Sequence, residues 1–217
     1  MHNIIEQLED DHRRMISLMY LLEKELKKLT GIAAGECQYD KLFEILDYVK
    51  TVPERWHHPI EDIIFDHYIA MYGPGDAIIS QLQQEHVLLE VQTAQLTALL
   101  SRARNLLNRP KAKIMQLATS FQMLQLEHIR KERRLLEAID IQFNARDWQT
   151  IDSLIREKAL EGADLDPFSL EYYRENGNSL SKSQLLSEQI NLARREAGCG
   201  AKTDAYDLQS HIQAPTL

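Results

Sequence analysis

Residues 3–30 read NIIEQLEDDHRRMISLMYLLEKELKKLT, and one row of side chains recurs there at alternating intervals of three and four residues. This spacing places the row along a single face of an α-helix. The row predicts a long amphipathic helix that buries this face against other helices. Its members are seven apolar residues and one histidine: Ile5, Leu8, His12, Met15, Met19, Leu22, Leu26 and Leu29.

Similar rows predict three further long helices, over about residues 38–72, 76–108 and 111–143. A run of glycine and proline at 73–75 separates the second helix from the third, and the other connections are also short. Short connections between long helices make sequence neighbours antiparallel. The predicted fold is therefore all-α, an up-down-up-down four-helix bundle over residues 1–144.

The composition favours this class and excludes several others. The 217 residues contain only 8 glycines and 6 prolines, which disfavours turn-rich β-sandwiches and barrels. Hydrophobic residues make up 44% of the chain, enough for a core, but no apolar run is long enough to span a membrane. The net charge of −8 argues against a nucleic-acid partner. Cys37 and Cys199 form no paired motif, so the predicted location is the cytoplasm.

Residues 145–217 are predicted to form a C-terminal extension, partly helical and partly irregular. Helices are predicted over Trp148–Leu160 and Ser183–Glu196, with the loop-rich stretch Gly162–Ser181 between them. The last twenty residues lack periodicity, which is typical of a disordered end. If the chain forms a homodimer or binds a protein partner, we expect the contact to involve this extension.

Histidines occupy positions in the rows where apolar residues are expected. Each predicted helix places one histidine in its row, and on the second, third and fourth helices a glutamate follows four residues later. A separation of four residues puts both side chains on one helical face, one turn apart. The histidines are His12, His57, His86 and His128, and the glutamates are Glu61, Glu90 and Glu132.

All four of these imidazoles and two of the three carboxylates, those of Glu61 and Glu132, are predicted to meet in one layer of the bundle. At a rise of about 1.5 Å per residue, they lie roughly 14–22 Å from the end that holds the connection between the second and third helices. Such groups are unfavourable in an apolar interior unless they are paired or bind a metal. The predicted metal ligands are His12, His57, Glu61, His86, His128 and Glu132.

The remaining histidines are interpreted as structural. On an ideal helix, His58 and His67 lie about 100° and 80° away from the face that carries His57. The other two, His2 and His211, lie near the ends of the sequence.

Two prolines, Pro53 and Pro59, flank His57 in the second predicted helix. Proline lacks the backbone N–H that an α-helix uses, and it disfavours helical geometry in the residue before it. A kink or bulge beside His57 is therefore expected, and it would set the direction of the His57 and Glu61 side chains.

Over about residues 1–143, the sequence resembles the hemerythrin-like HHE cation-binding family. The resemblance rests on the run WHHPIED at 56–62, on Asp11-His12, on Glu85-His86 and on the segment 128–132. It implies a four-helix bundle with a non-haem di-iron centre, in which an oxo or hydroxo group bridges two iron ions (Fe2+/Fe3+). In such a centre the four histidines would be terminal ligands and the two glutamates would bridge the irons: His12, His57, His86 and His128, with Glu61 and Glu132.

The sequence is most similar to a bacterial branch of this family with four histidines and two glutamates. That branch is associated with nitric oxide stress and with the repair of damaged iron centres. Oxygen-carrying hemerythrins differ, because they have HxxxH on the third helix, where this chain has Glu90 at the second position. Three roles remain open for Glu90: an extra metal ligand, a hydrogen-bond partner of a ligand, or a residue at the rim of the site.

Three functions remain open from the sequence. The first is a di-iron protein that binds dioxygen or nitric oxide in sensing or in a stress response. The second is a di-iron enzyme that acts on nitric oxide or peroxide, and the third is an iron store, an iron buffer or an interaction module. A shell rich in neutral imidazoles favours ferrous iron and supports the first function. The residues predicted to line a small apolar pocket are Met15, Ile16, Ile64, Phe65, Leu89, Leu124, Leu135 and Leu136.

Overall fold

The structure, a computed structural model, describes residues 1–73, 77–106 and 109–160. Every regular element in these ranges is helical. The elements are α1 (Asn3–Thr30), α2 (Tyr39–Val52), a π-helical segment (Pro53–His57), α3 (His58–Tyr72), α4 (Ile78–Arg104), α5 (Lys111–Gln142) and α6 (Ala145–Leu160). The predicted helix Ser183–Glu196, the loop before it and the end predicted to be disordered lie outside the described residues.

Four long helices form a bundle, as the sequence predicts. The first, third and fourth are α1, α4 and α5, and the second consists of α2, the π-helical segment and α3 together. α1 packs against α2 and α5, while α4 packs against α5, α2 and α3. The predicted all-α four-helix bundle is therefore confirmed. None of the helices in the described ranges combines the length and the apolar character that a membrane span requires.

The interior rows of the helices agree with the prediction on α1 and differ on α5. All eight predicted positions on α1 are buried. The buried row of α5 consists of Ile114, Ala118, Phe121, Gln125, His128, Ile129, Glu132, Leu136 and Ile139. The predicted positions Leu117, Leu124 and Leu135 are only partly buried. The interior face of a bundle helix is wider than one row of side chains. Positions chosen at alternating intervals of three and four residues can therefore lie at the edge of this face, where they are only partly buried.

The beginning of the C-terminal extension belongs to the same core. α6 begins at Ala145, three residues before the predicted start, and packs against α3. Its residues Trp148, Ile151 and Ile155 are buried in one apolar cluster with residues of α1, α3, α4 and α5. The ring of Trp148 also stacks on His2, with 4.1 Å between the ring centroids. Removal of α6 would therefore expose apolar surface on the bundle.

Candidate metal centre

The π-helical segment brings two adjacent histidines into the interior. The N–H of His58 donates to the carbonyl of Pro53, five residues earlier, which is the hydrogen bond that defines a π-helix. A π turn is wider than an α turn, so it leaves a smaller angle between consecutive side chains. As a result His57 and His58 are both buried. The bulge expected beside His57 is present as this segment.

A first group of atoms that could hold a metal comes from His12, His57, Glu61 and Glu132. Nε2 of His12 lies 2.9 Å from Nε2 of His57 and 3.2 Å from Oε2 of Glu132. Oε1 of Glu61 lies 3.2 Å from Nε2 of His57 and 3.6 Å from Nε2 of His12. The four residues are buried, and one ligand atom from each lies within 4.8 Å of the others. This distance is short enough for one ion to contact all four.

A second group comes from His58, His86 and His128, which are also buried and lie equally close together. The rings of His58 and His86 stack with 4.0 Å between their centroids, and the ring of His128 stands edge-on to His86 at 4.9 Å. Oε1 of Glu132 lies 2.7 Å from Nε2 of His128 and 3.0 Å from Nε2 of His86. The second group therefore also has a carboxylate within reach.

Glu61 and Glu132 connect the two groups through different oxygens. Oε2 of Glu132 faces His12, whereas its Oε1 faces His128. Oε1 of Glu61 faces His12, whereas its Oε2 lies 3.6 Å from Nε2 of His86. Each carboxylate thus presents one oxygen to each group. A carboxylate that bridges the ions of a two-metal site needs this arrangement.

Several buried polar atoms of the site have no hydrogen-bond partner within the protein. They are both oxygens of Glu61, Oε2 of Glu132, Nε2 of His128, Nδ1 of His12 and of His86, and both ring nitrogens of His58. Such atoms destabilise a folded protein unless a ligand satisfies them. Imidazole nitrogens and carboxylate oxygens are donors that iron, zinc and manganese accept. The residues therefore fit a metal centre.

The carboxylates of the site favour positive charge on three histidines. Burial lowers the pKa of His12, but the neighbouring carboxylates of Glu132, Glu61 and Glu9 outweigh it and hold the pKa well above 6.5. Burial acts in the same direction on His57 and His86, and neighbouring carboxylates nevertheless raise the pKa of His57 to about 9 and that of His86 to about 12. The interior therefore attracts cations, either protons or metal ions.

Two further buried groups of the site, Glu132 and His58, are held in the form that binds metal. Burial raises the pKa of Glu132, but His128 and neighbouring histidines outweigh it and keep the pKa well below 4.5. Burial and the charge of His86 lower the pKa of His58 well below 6.5. Glu132 is therefore an anion and His58 a neutral imidazole, and both forms are competent ligands.

A carboxylate faces Nδ1 of each histidine predicted as a ligand. A carboxylate that accepts the Nδ1 proton holds the ring so that Nε2 would point to a metal, and Asp11 and Glu85 lie at hydrogen-bond distance for this role. Three of the four pairs join different helices, so the contacts depend on the packing of the bundle. The Nδ1–oxygen distances are 3.6 Å for His12–Glu9, 3.4 Å for His57–Asp11, 3.3 Å for His86–Asp62 and 3.1 Å for His128–Glu85.

The structure brings together all six predicted site residues and adds a seventh, His58. The expectation that His58 lies away from the site is wrong, because the π-helical segment departs from the 100° step of an ideal helix. Glu90, which the sequence left open, is exposed and belongs to neither group. His67 lies outside the site and contacts Asp147, with 3.2 Å between Nε2 and Oδ1.

A polar residue lies in the interior beside the site, where an apolar one was predicted. Gln125, rather than Leu124, is buried one helical turn before His128. Its Nε2 lies 3.8 Å from Sδ of Met15, which is one turn after His12, and its Oε1 has no hydrogen-bond partner within the protein. A count of three residues back from His128 would have located Gln125 from the sequence. The surroundings expected to be apolar therefore include an amide.

An all-α bundle that packs five histidines and two glutamates into two groups of candidate ligands in its interior defines a metal-binding four-helix-bundle protein. Residues 3–139, well over half of the chain, match the family described as the hemerythrin HHE cation binding domain, and the chain belongs to this family. The matched range includes all seven residues of the two groups. No curated protein and no solved structure matches the chain.

Proposed function

We propose that this chain is a non-haem di-iron protein that binds dioxygen or nitric oxide in sensing or in a stress response. One observation carries the proposal: two buried groups of ligand atoms lie side by side, and two carboxylates face both of them. His12 and His57 would hold one iron and three histidines the other, with the glutamates shared. The three histidines are His58, His86 and His128.

The charge balance of these residues favours ligand binding over oxidative chemistry. Two carboxylates bring two negative charges to a diferrous pair that carries four positive ones, and neutral imidazoles add none. Ferritin-like sites have four glutamates and two histidines instead, so they stabilise higher oxidation states better. Iron supplies open coordination positions for a diatomic ligand when it is bound. We therefore favour reversible binding or redox sensing over oxygenation of an organic substrate.

The surroundings of the site fit a small ligand. Met15, Ile64 and Leu89 each lie one helical turn from a site residue, are buried and would exclude water. Gln125 adds one amide, whose Nε2 has only the weak sulfur acceptor of Met15 at 3.8 Å. We propose that the amide NH2 of Gln125 donates a hydrogen bond to the bound ligand. This contact would be stronger with an anionic or polar form of the ligand, since charge-assisted hydrogen bonds are the stronger ones.

Iron content and optical spectra test the proposed function. We expect purified protein to hold two irons per chain, and the spectrum of the anaerobically reduced form to change on exposure to dioxygen or nitric oxide. A centre that is silent toward both gases would contradict the proposal. Rapid disproportionation of added peroxide would instead favour an enzyme that acts on peroxide. The variant His67→Gln serves as a control, because His67 lies outside the site.

A further inference from the structure

Two basic residues flank Glu132 on α5, and each forms an ion pair with a carboxylate that faces a site histidine. Nε of Arg133 lies 2.8 Å from Oε2 and 3.1 Å from Oε1 of Glu9. Nζ of Lys131 lies 2.5 Å from Oε1 of Glu85. The two carboxylates are buried, whereas the cations reach the surface, with 46% of the Arg133 side chain and 18% of the Lys131 side chain exposed.

Each carboxylate also faces Nδ1 of a histidine, Glu85 at hydrogen-bond distance and Glu9 beyond it, so two rows of charged side chains lead from the surface of α5 to the site. In one row, Arg133 contacts Glu9, and Glu9 Oε1 lies 3.6 Å from Nδ1 of His12. In the other, Lys131 contacts Oε1 of Glu85, and Glu85 Oε2 lies 3.1 Å from Nδ1 of His128. His12 belongs to the first group of ligand atoms and His128 to the second. Each candidate metal position therefore has one such row from α5, and the first also has Arg14 beside Asp11 at 3.9 Å, with Asp11 facing His57.

Stability does not account well for these ion pairs, because pairs that reach solvent contribute little to folding. A carboxylate at the outer nitrogen of a ligating histidine has a different effect. It accepts the Nδ1 proton, fixes the tautomer and makes the ring a stronger electron donor to the metal. A cation on the same carboxylate competes for its electron density and weakens that effect.

We propose that Arg133–Glu9 and Lys131–Glu85 are positioning pairs that set the redox balance of the two irons, one pair for each iron. The inference rests on the proposed di-iron function. Because a stronger donor stabilises ferric over ferrous iron, the carboxylate of each pair lowers the reduction potential and its cation raises it. The two members of one pair therefore act in opposite directions, which a merely structural contact would not do.

The test is an anaerobic potentiometric titration of the iron-loaded full chain, in which electron paramagnetic resonance monitors the oxidation state of the irons at each potential. Each ferric-to-ferrous step takes up one electron from the electrode through a mediator dye. We expect Glu85→Gln to raise one of the two potentials and Lys131→Gln to lower it. The expected size is a tenfold change in the ratio of ferric to ferrous affinity, which is about 59 mV for one electron. Glu9→Gln and Arg133→Gln should act in the same way on the other potential.

A double variant separates this effect from the plain loss of a surface charge. If Lys131 acts through Glu85, then Lys131→Gln in the Glu85→Gln background leaves the potential unchanged. Additive shifts would overturn the inference, since they would mean that each charge acts directly on the iron. The conservative variant Lys131→Arg keeps the charge and should keep the wild-type potential.

Arg130→Gln is the matched control. It removes the same charge from the same helix, but Arg130 pairs with Glu127, and both residues are about half exposed. We expect no shift in either potential.

The iron content of each protein distinguishes the two possible failures. Wild-type protein without two irons would refute the proposed function itself. Wild-type protein with two irons, together with variants that are folded by circular dichroism and whose potentials equal the wild-type values, would overturn the inference alone. If a glutamate variant loses iron, the variants of the two partly exposed cations carry the test, because equal potentials there would also overturn it.

Discussion

Glu132 and His128 lie four residues apart on α5, with 2.7 Å between Oε1 and Nε2. In the second long helix of the bundle, His57 and Glu61 repeat the same spacing, with 3.2 Å between Nε2 and Oε1. His57 belongs to the first group of ligand atoms and His128 to the second, and Glu132 faces both groups. This near-twofold relation between the two histidine–glutamate pairs supports a site for two metal ions in the interior of the bundle.

The first prediction concerns His58. We expect His58→Ala to lower the affinity for one of two irons by about 10–100-fold or more, because both nitrogens of this buried ring are unsatisfied within the protein. The measurement is iron per chain by elemental analysis after dialysis against a weak chelator. His67→Ala is the control and should keep both irons. A variant that loses stability but retains two tightly bound irons would show that His58 only fills space.

The second prediction concerns Gln125. We expect Gln125→Leu to leave the iron content unchanged and to weaken dioxygen or nitric oxide binding by roughly tenfold, the value of about one hydrogen bond. The substitution removes a buried amide, so the free energy of unfolding should not fall much. Stopped-flow measurement of ligand dissociation tests this directly. Unchanged dissociation would remove Gln125 from the ligand pocket.

Gln122→Leu is the control for Gln125, because Gln122 lies one turn away on the same helix. Its side-chain N–H donates to the carbonyl of Met19 at 2.7 Å. We expect this variant to lose some stability without a change in ligand dissociation.

The third prediction is a pH dependence of the metal-free protein. The folded protein holds the pKa of His57 at about 9, against about 6.5 in an unfolded chain. A group with a raised pKa stabilises the fold fully below pH 6.5, and this contribution is lost as the pH rises through 9. The pKa values of His12 and His86 are raised as well. The free energy of unfolding should therefore fall between pH 6.5 and 9, by on the order of 3 kcal/mol for His57 alone.

Urea unfolding of metal-free and iron-loaded protein at pH 6.5 and 9 checks this dependence. Iron needs unprotonated rings, so it should reverse the trend or remove it. The lowered pKa of His58 has the opposite effect on stability, but only below pH 6.5, outside this window. Equal stability of the metal-free protein at both pH values would contradict the prediction.

The fourth prediction concerns truncation. A chain that ends at residue 144 should still fold and hold iron, because every proposed ligand precedes that point. It should lose several kcal/mol of stability, since Trp148, Ile151 and Ile155 are buried and each such side chain contributes roughly 1.5–3 kcal/mol. A chain that ends at residue 160 keeps α6 and is the control. Loss of iron from the shorter chain with its helices intact would show that α6 supports the site.

Helical periodicity was sufficient to predict the bundle and the meeting of six site residues. The row on α1 is regular over its whole length, so His12 could be placed in the interior from spacing alone. Depth along each helix follows from the rise per residue, which is nearly constant. The contacts of Glu132 with His12 and His86 agree with that calculation.

Residue spacing could not predict the roles of His58, Asp11 and Gln125, because these depend on departures from ideal helix geometry and on packing between helices. His58 enters the site because a π turn precedes it, and proline signals a bulge without specifying its width. Asp11 precedes His12 in the sequence but contacts His57 across the bundle. Such a contact between helices leaves no local pattern. Gln125 was missed because the interior face of α5 is wider than one row.

The proposed function requires the two groups of ligand atoms to hold two iron ions. The most direct test is the iron content per chain of wild-type protein and of the variant His57→Ala/His128→Ala, which removes one histidine from each group. We predict two irons in the wild-type protein and none or nearly none in the double variant, with the helical circular dichroism retained. A double variant that still binds two irons per chain would contradict the account.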